Sequence, residues 1–190
     1  MPKQKVDKKD IIKASLKVFK NLGYHRASMA DIGKECGLLK GSIYHYFSSK
    51  EALMHEVIHY LHDYYKREVF SIALDDLLSG EEKLNKLTEF SERIFLEEKG
   101  GCLMANIGLE TVNVVPEFSI RIRNFFNDWI EALANIFEEK YSQEEAHKLA
   151  QQAVAEIEGA VLLMQLFDSR SFLDQAHASI KNKFLVVERR

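Results

Sequence analysis

The sequence predicts an all-α protein of about nine helices, in which a small N-terminal domain precedes a larger helical C-terminal domain. Turn-forming residues are scarce, because the 190 residues include only 2 Pro and 9 Gly, and long helices are therefore favoured. Apolar residues recur three and four positions apart along most of the chain, and no segment shows the strict alternation of a strand. Hydrophobic residues make up 46% and charged residues 29% of the chain, which is typical of a folded globular protein.

Charge is distributed unevenly between the two ends of the chain. Residues 1–50 hold 11 Lys and Arg against 4 Asp and Glu, whereas residues 51–190 hold 15 against 25. This asymmetry predicts a basic domain over residues 1–50 and an acidic domain over residues 51–190. A basic domain suits a nucleic-acid partner, although a solvated basic face with no partner would give the same charge count.

The basic domain contains three predicted helices. The first has apolar residues at helical spacing and ends at Gly23, a residue type that commonly follows the last helical turn. Ser28 suits the N-cap of a second, short helix that closes at Gly37. A third short helix covers residues 40–46, with Ile43 and Phe47 facing inward. Two short helices joined by a tight turn predict a helix-turn-helix.

The acidic domain supplies the remaining six predicted helices. Ser48 and Glu51 have the spacing of a capping box, so we expect the fourth helix to begin there. Pro116 suits the first turn of a later helix, and Ser142 with Glu145 repeats the capping-box pattern. The five helices after the fourth are predicted over roughly residues 81–99, 102–113, 117–140, 142–167 and 171–187.

The termini and the cysteines bear on the compartment. The first ten residues, MPKQKVDKKD, lack the apolar segment of a secretory signal, and no run of the sequence is long enough to span a membrane. Cys36 and Cys102 are too few for a disulfide framework and are expected to be reduced thiols. We therefore expect a cytoplasmic protein with no membrane association and no cofactor.

The third helix is the predicted DNA-reading element, because the second helix of a helix-turn-helix enters the major groove and its first residues meet base edges. Lys40 supplies a cation, and Gly41 permits close approach of the backbone. Ser28 and Lys50 begin their helices, where backbone N–H groups attract phosphate. Tyr44 or Tyr46 could instead be half core, with Lys40 only solvated. The predicted DNA-contacting residues are Ser28, Lys40, Gly41, Ser42, Tyr44, His45, Tyr46 and Lys50.

Residues 8–55 carry a specific resemblance. The stretch ASMADIGKECGLLKGSIYHYFSSKEAL is similar to the N-terminal DNA-binding domain of the TetR family of transcriptional repressors. The likeness includes the Ile32 and Gly37 anchors, the KGSIYHYF segment and the SKEAL start of the fourth helix. Two positions depart from the family pattern: Leu39 stands where Ser or Thr is usual, and Met29 stands where a second small polar residue is common.

The resemblance implies a homodimer that binds a palindromic double-stranded DNA operator. It also implies that the C-terminal helices hold a pocket for a small-molecule effector and that the last two helices form the dimer interface. The resemblance then implies a ligand-responsive regulator that acts as a repressor and is not an enzyme. The effector is expected to be apolar or aromatic. The residues predicted to line its pocket are Phe90, Ile94, Met104, Asn106, Ile107, Glu110, Phe126, Trp129 and Met164.

Cys102 suggests an alternative, thiol-responsive regulator. It follows two glycines at a predicted helix N-terminus, where the helix dipole favours the thiolate. A thiolate could react with an electrophile or a peroxide. The pattern formed by Gly101, Cys102, Leu103, Asn106 and Glu110 also resembles a stretch common in one branch of the family that carries no redox implication.

The segment HEVIH at residues 55–59 suggests further alternatives. HExxH on a helix is the zinc signature of many metalloproteases, and His62 continues the stripe of His55 and His59. A zinc hydrolase would need a third ligand and a substrate cleft, and the fourth helix is already explained as the connector of the two domains. A metal-responsive regulator and a histidine-rich helix flank without function remain open. We predict no metal site and no catalytic residues.

A regulator without a ligand would instead have a filled C-terminal core.

Overall fold

The computed structural model describes residues 6–97 and 100–185, and within these residues every regular element is helical. This confirms the predicted all-α fold with a helix-turn-helix near the N-terminus. Besides nine α-helices, the described residues form a short 3-10 helix over Phe70–Leu74. The α-helices are α1 Lys8–Arg26, α2 Met29–Glu35, α3 Lys40–Tyr44, α4 Lys50–Glu68, α5 Gly80–Glu97, α6 Leu103–Thr111, α7 Pro116–Phe137, α8 Gln143–Phe167 and α9 Ser171–Leu185.

The chain forms two compact units. The N-terminal unit consists of the described residues up to Asp63 together with Leu103–Ile122. The C-terminal unit consists of the described residues from Tyr64 to Cys102 and from Arg123 onward. Helices α4 and α7 therefore contribute residues to both units, and α6 belongs to the N-terminal unit although it comes late in the sequence. The functional boundary at residue 50 stays a prediction.

Helix α1 has the break that the sequence predicts at Gly23. Asp7 caps the start of α1, because its carboxylate accepts from the Asp10 N–H at 2.8 Å while Asp10 accepts from the Asp7 N–H at 3.1 Å. Gly23 has φ 74° and ψ 169°, which is not helical. The last residues up to Arg26 form a further turn beyond this break.

The helix-turn-helix is built as predicted at α2, whereas α3 is shorter than expected. The Ser28 hydroxyl accepts from the Asp31 N–H at 3.2 Å, and Gly37 ends the segment with φ 67°. The regular part of α3 stops at Tyr44, so the predicted end at residue 46 is wrong. The chain continues as a turn there, because the Tyr46 N–H bonds back only three residues, to the Ile43 carbonyl at 2.9 Å.

The start of α4 corrects a second detail. Ser49 supplies the cap, because its hydroxyl accepts from the Ala52 N–H at 2.9 Å. The predicted cap at Ser48 is therefore displaced by one residue, since α4 begins at Lys50 and Ser49 immediately precedes it. The N-terminal unit closes around side chains that are fully buried, among them Ile11, Ile32, Ile43, Leu53 and Phe118.

The C-terminal unit packs α5, the second half of α7, α8 and α9 around an aromatic core. Ser142 caps α8 by accepting from the Glu145 N–H at 3.4 Å, and Asp168 ends it in the left-handed conformation, with φ 49°. Small residues on the inner face of α8, such as Ala146 and Ala150, are completely buried and allow close helix packing. In the described part of the chain, no helix combines the length and the apolar character needed to cross a bilayer.

Candidate nucleic-acid interface and ligand cavity

The recognition segment, which we define as residues 39–46, is anchored from behind and exposed in front. Ile43 is fully buried and Phe47, which follows the segment, is nearly so. Leu39 and Tyr44 are 81% and 46% exposed, and Lys40 and His45 are exposed as well. Helical spacing produces this division, because residues 43 and 47 lie on one face and residues 40, 41 and 44 lie on others. Of the sequence-predicted contact residues of α3, Lys40, Gly41 and Tyr44 are thereby displayed to solvent, and Ser42 is half-buried.

No contact with the described residues requires a glycine at position 41. A Cβ atom built there would meet no described atom of the chain within 4 Å. Glycine in a helix costs about 1 kcal/mol relative to alanine. The Lys40 ammonium lies 6.0 Å from the centre of the Tyr44 ring beside it. The open backbone at Gly41 therefore leaves room for a partner to approach closely, next to a cation and a phenol.

Leu39 occupies the N-cap of α3 and provides no side-chain hydrogen bond there. A polar residue at this position typically stabilises a helix by about 1 kcal/mol relative to an apolar one. The departure from Ser or Thr seen in the sequence is thus a real loss of a cap. Leu39 also remains outside the core, so neither capping nor burial explains the leucine.

The Lys50 side chain hydrogen-bonds to the protein's own backbone. Its ammonium donates to the carbonyls of Tyr24 at 2.7 Å, Ala27 at 2.9 Å and His25 at 3.2 Å. It also lies 4.5 Å from the centre of the Tyr24 ring. Burial lowers the pKa of Lys50, and the nearby Glu110 carboxylate acts in the opposite direction. A phosphate contact by Lys50 stays a prediction, and it would have to compete with these carbonyls.

Two other predicted contact residues also bond within the unit. The Tyr46 hydroxyl donates to the Val6 carbonyl at 2.9 Å. The Ser28 hydroxyl donates to the Asp31 carboxylate at 2.6 Å, and this hydrogen bond lowers the pKa of Asp31. These bonds fix the start of α1 and of α2 beside the recognition segment. Their roles at DNA remain predictions.

Glu110 lies in the N-terminal unit, where it contacts the end of α1. Its carboxylate accepts from the His25 N–H at 3.0 Å, and its backbone carbonyl lies 2.9 Å from the His25 Nε2 atom. A Cβ atom at Gly23 would approach the Glu110 Oε1 atom to 2.5 Å. We call residues 23–27, Lys50 and Glu110 the anchor, because they tie the end of α1 to α4 and α6.

The C-terminal unit contains a cavity with aromatic walls. The cavity has a volume of about 50 Å³. Phe90, Ile94 and Trp129 line it, as the sequence predicts. Tyr65, Phe70, Phe95 and Phe125 complete the aromatic wall.

Six predicted pocket residues lie elsewhere. Met104 and Ile107 are core residues of the N-terminal unit, and the exposed Asn106 shares α6 with them and with Glu110. Phe126 lies next to the wall and stacks on Trp129, with ring centres 6.2 Å apart. Met164 is buried on α8. None of these six side chains is among the residues that line the described cavity. The prediction treated α6 as a pocket wall, whereas it packs with α1.

A buried histidine brings polarity to the cavity. His177 lines it and is 6% exposed, and its Nε2 atom lies 3.0 Å from the Ser91 hydroxyl. The Nδ1 atom is buried and has no hydrogen-bond partner among the described residues. Burial lowers the pKa of His177, which favours the neutral ring. Sequence reasoning missed this residue, although the spacing of Leu173, Ala176, His177, Ile180 and Phe184 indicates the inner face of α9.

Cys102 also lines the cavity and is buried. Its thiol donates a hydrogen bond to the Glu158 carboxyl group, whose pKa is raised by burial. The thiol therefore has a carboxyl neighbour that the sequence did not predict. Thiol sensing by Cys102 stays a hypothesis. The other cysteine, Cys36, has a pKa raised first by burial and then by Glu35 and Asp10.

The histidines of HEVIH make separate contacts. The His55 ring packs edge-on against Phe118, with ring centres 4.7 Å apart. The His59 Nε2 atom lies 3.2 Å from the Asp63 carboxylate. Across residues 6–97 and 100–185, no group of three or more His, Cys, Asp or Glu side chains is placed to hold a metal ion. Metal sensing stays a hypothesis for which these residues offer no ligand set.

The outer face of α8 is apolar. Leu162, Leu163, Leu166 and Phe167 are all exposed, the last two by 69% and 66%. Gly159 lies one turn before them, and a Cβ atom there would meet no described neighbour within 4 Å. Positions 159, 162, 163, 166 and 167 follow the spacing of one helix face. Monomeric proteins seldom expose such a continuous apolar patch.

Two family models match the sequence. The model described as bacterial regulatory proteins of the tetR family matches residues 11–57, which contain α2, α3 and the recognition segment. The model described as the C-terminal domain of LmrA/YxaF-like transcriptional regulators matches residues 82–179, just over half of the chain. Together they cover both the candidate interface and most of the cavity.

Individual proteins agree with the family models. The HTH-type transcriptional regulator YuxN of Bacillus subtilis is 44% identical over 59 residues, which are 31% of this chain and 20% of YuxN. The chain thus spans only a fifth of the length of that relative. The HTH-type transcriptional regulator MT0206 of Mycobacterium tuberculosis is 24% identical over 185 residues, 92% of each chain. A TetR transcriptional regulator of known structure from Legionella pneumophila has the same fold, with a TM-score of 0.85 at 24% identity over 95% of this chain and 98% of its own.

Proposed function

Since this chain belongs to the TetR family of DNA-binding transcriptional regulators, we propose that it is a ligand-responsive repressor. A dimer binds a palindromic operator, and a small molecule in the cavity of the C-terminal unit releases it. The family consists of regulators without enzymatic activity, which excludes the zinc hydrolase suggested by HEVIH.

The cavity is the observation that carries the ligand response. Its walls are aromatic, and His177 and Ser91 supply a polar pair that is buried within it. Ligand sites are commonly apolar hollows with a few placed polar groups. A neutral imidazole whose Nε2 atom pairs with Ser91 leaves its Nδ1 atom for a ligand group. The effector is accordingly a small apolar or aromatic molecule with one hydrogen-bonding group, and the cavity of about 50 Å³ must widen to admit it.

The apolar face of α8 supports the dimer. Leu162, Leu166 and Phe167 would lose water-exposed surface against the same face of a second chain. Helix α9 packs along α8 and would take part in the same interface. A two-fold dimer places two recognition segments on successive major grooves of a palindrome.

Helix α4 offers a route for release. It carries Lys50 of the anchor at its first residue and Tyr65, which lines the cavity, in its last turn. A ligand that shifts Tyr65 would act on the carbonyls of residues 24–27 through this one helix. An effector must bind the released state about 10²- to 10⁴-fold better to clear the operator, which corresponds to roughly 3–5.5 kcal/mol.

Trp129 makes the proposal directly testable, because it is the single tryptophan in the sequence and it lines the cavity. Compounds are screened by quenching of Trp129 fluorescence, and those that bind are added to the protein on its own upstream promoter DNA. We expect promoter binding at low salt, and release of the DNA by compounds that quench. The proposal fails if no promoter fragment is retained, or if compounds that saturate the quenching leave DNA affinity unchanged.

A further inference from the structure

Leu39 sits at the outer corner of the helix-turn-helix, on a backbone that holds it in place. The Leu38 N–H donates to the Gly33 carbonyl at 2.7 Å, and a Cβ atom at Gly33 would lie 2.9 Å from the Leu38 carbonyl oxygen. The Leu39 carbonyl in turn accepts from the Ser42 N–H at 2.9 Å. These hydrogen bonds and the close packing at Gly33 hold the turn in the conformation that leaves Leu39 81% exposed.

Two local explanations for a leucine here fail. A polar residue would cap α3, whereas Leu39 provides no cap. The inward position of this segment is already filled by Ile43, which is fully buried. A single exposed leucine is ordinary on most protein surfaces. This one directly precedes Lys40 and Gly41, on the segment that a helix-turn-helix places in the major groove.

The major groove contains one apolar group, the C5 methyl of thymine. Lys40 supplies charge beside Leu39, and the open backbone at Gly41 allows the groove to approach. We propose that Leu39 reads the methyl group of a thymine in each half-site of the operator. This inference rests on DNA binding by the recognition segment. It adds a base-specific role for a residue that differs from the family's usual Ser or Thr.

The test removes one methyl group at a time. An operator is selected from random duplexes with the full-length wild-type protein, and each of its thymines is then replaced by deoxyuridine. We expect one thymine per half-site whose replacement weakens wild-type binding about fourfold, the ratio equivalent to about 0.8 kcal/mol for one methyl-sized group. Every other thymine should tolerate the replacement.

A Leu39→Ser variant assigns the effect to the side chain. Serine restores a cap, so the variant should fold at least as well as wild type, which its melting temperature checks. It should bind the thymine and deoxyuridine operators equally. A Leu77→Ser control, at a leucine that is 93% exposed in the C-terminal unit, should keep the fourfold difference.

Each result has a distinct meaning. If the wild type selects no duplex, DNA binding and the reading by Leu39 both fail. If it selects an operator but no deoxyuridine weakens binding, or if Leu39→Ser keeps the wild-type difference, only the reading by Leu39 is overturned.

Discussion

Lys40 and Lys50 begin consecutive helices of the N-terminal unit, and the sequence predicts a DNA contact for both, yet their surroundings are opposite. Lys40 projects from the recognition segment into solvent, with Tyr44 as its neighbour. Lys50 is half-buried within the anchor and donates to three carbonyls at the end of α1. Lys40 thus displays its charge to solvent, whereas Lys50 uses its charge inside the unit.

This contrast shows that residue type and position at a helix start do not fix a role. A substitution of an exposed side chain such as Lys40 or Tyr44 should change DNA affinity and leave stability alone. A substitution in the anchor should first change stability, and DNA binding only as a consequence.

Lys50→Met should produce the largest loss. Methionine keeps an apolar side chain but leaves the carbonyls of Tyr24, His25 and Ala27 without their donor. Hydrogen bonds to a charged group contribute about 1.5–3 kcal/mol each, and several are lost together. We expect the free energy of unfolding to fall by about 3 kcal/mol in urea denaturation. Lys40→Met is the matched control and should change it by less than about 0.5 kcal/mol. Equal losses of unfolding free energy in Lys50→Met and Lys40→Met would contradict the proposed difference between the two lysines.

Gly23→Ala should cost about 2–3 kcal/mol. The backbone at Gly23, with φ 74° and ψ 169°, lies in a region that is essentially restricted to glycine. The new Cβ atom would also meet the Glu110 carboxylate. In a Glu110→Ala background the contact disappears and the strain remains, so the cost of Gly23→Ala should shrink without vanishing. Thermal denaturation of the four proteins measures the coupling, and strictly additive effects would mean that Glu110 does not press on this turn.

Lys40→Met should weaken operator binding while the protein stays as stable as wild type. If Lys40 meets phosphate, the slope of log K against log salt should become shallower by about 0.9 for each contact removed. Fluorescence anisotropy at four salt concentrations gives this slope. An unchanged affinity and slope would place Lys40 outside the interface.

His177 is buried in the C-terminal unit and His45 is exposed on the recognition segment. Substituting them should change stability less than the preceding variants do. Burial lowers the pKa of His177 below its ordinary value of about 6.5. The unfolded chain therefore binds a proton at a pH where the folded chain does not. The stability contributed by the neutral ring is present above pH about 6.5 and is lost as the pH falls toward the folded pKa.

His177→Gln should thus reduce the loss of stability between pH 7.5 and pH 5.5, by at most the effect of one proton. His45→Gln alters an exposed ring on the recognition segment and serves as the matched histidine substitution. Urea denaturation at the two pH values compares them. A wild-type pH dependence in His177→Gln would show that this histidine is not the group that titrates on unfolding.

Most of the helices and their buried faces could be predicted from local sequence patterns. Ser28 and Ser142 cap their helices as predicted, because capping depends on residues only a few positions apart, and Gly23 interrupts α1 where the sequence predicts its end. Ile43 and Phe47 turn inward for the same reason, since helical spacing alone separates the two faces of α3. The recognition segment is contiguous, and so its residues could be named together.

Contacts between distant segments could not be derived in this way. Lys50 meets carbonyls on α1, and Glu110 meets His25 from far along the chain. The cavity is likewise lined by residues from α4, α5, α7, α8 and α9. His177 is a polar residue of this cavity because α9 places its ring beside the Ser91 hydroxyl. The sequence placed α6 at the pocket, whereas in the structure α6 packs with α1, because periodicity identifies a buried face without identifying what buries it.

The most direct test of the central claim compares wild type with Tyr44→Ala on the selected operator by fluorescence anisotropy. Tyr44 is 46% exposed on the recognition segment, so its loss should spare the fold. We expect an affinity about tenfold to a hundredfold weaker, as for the loss of one good contact of about 1–3 kcal/mol, with the melting temperature and the mass in solution unchanged. An affinity equal to that of wild type would contradict DNA recognition through residues 39–46.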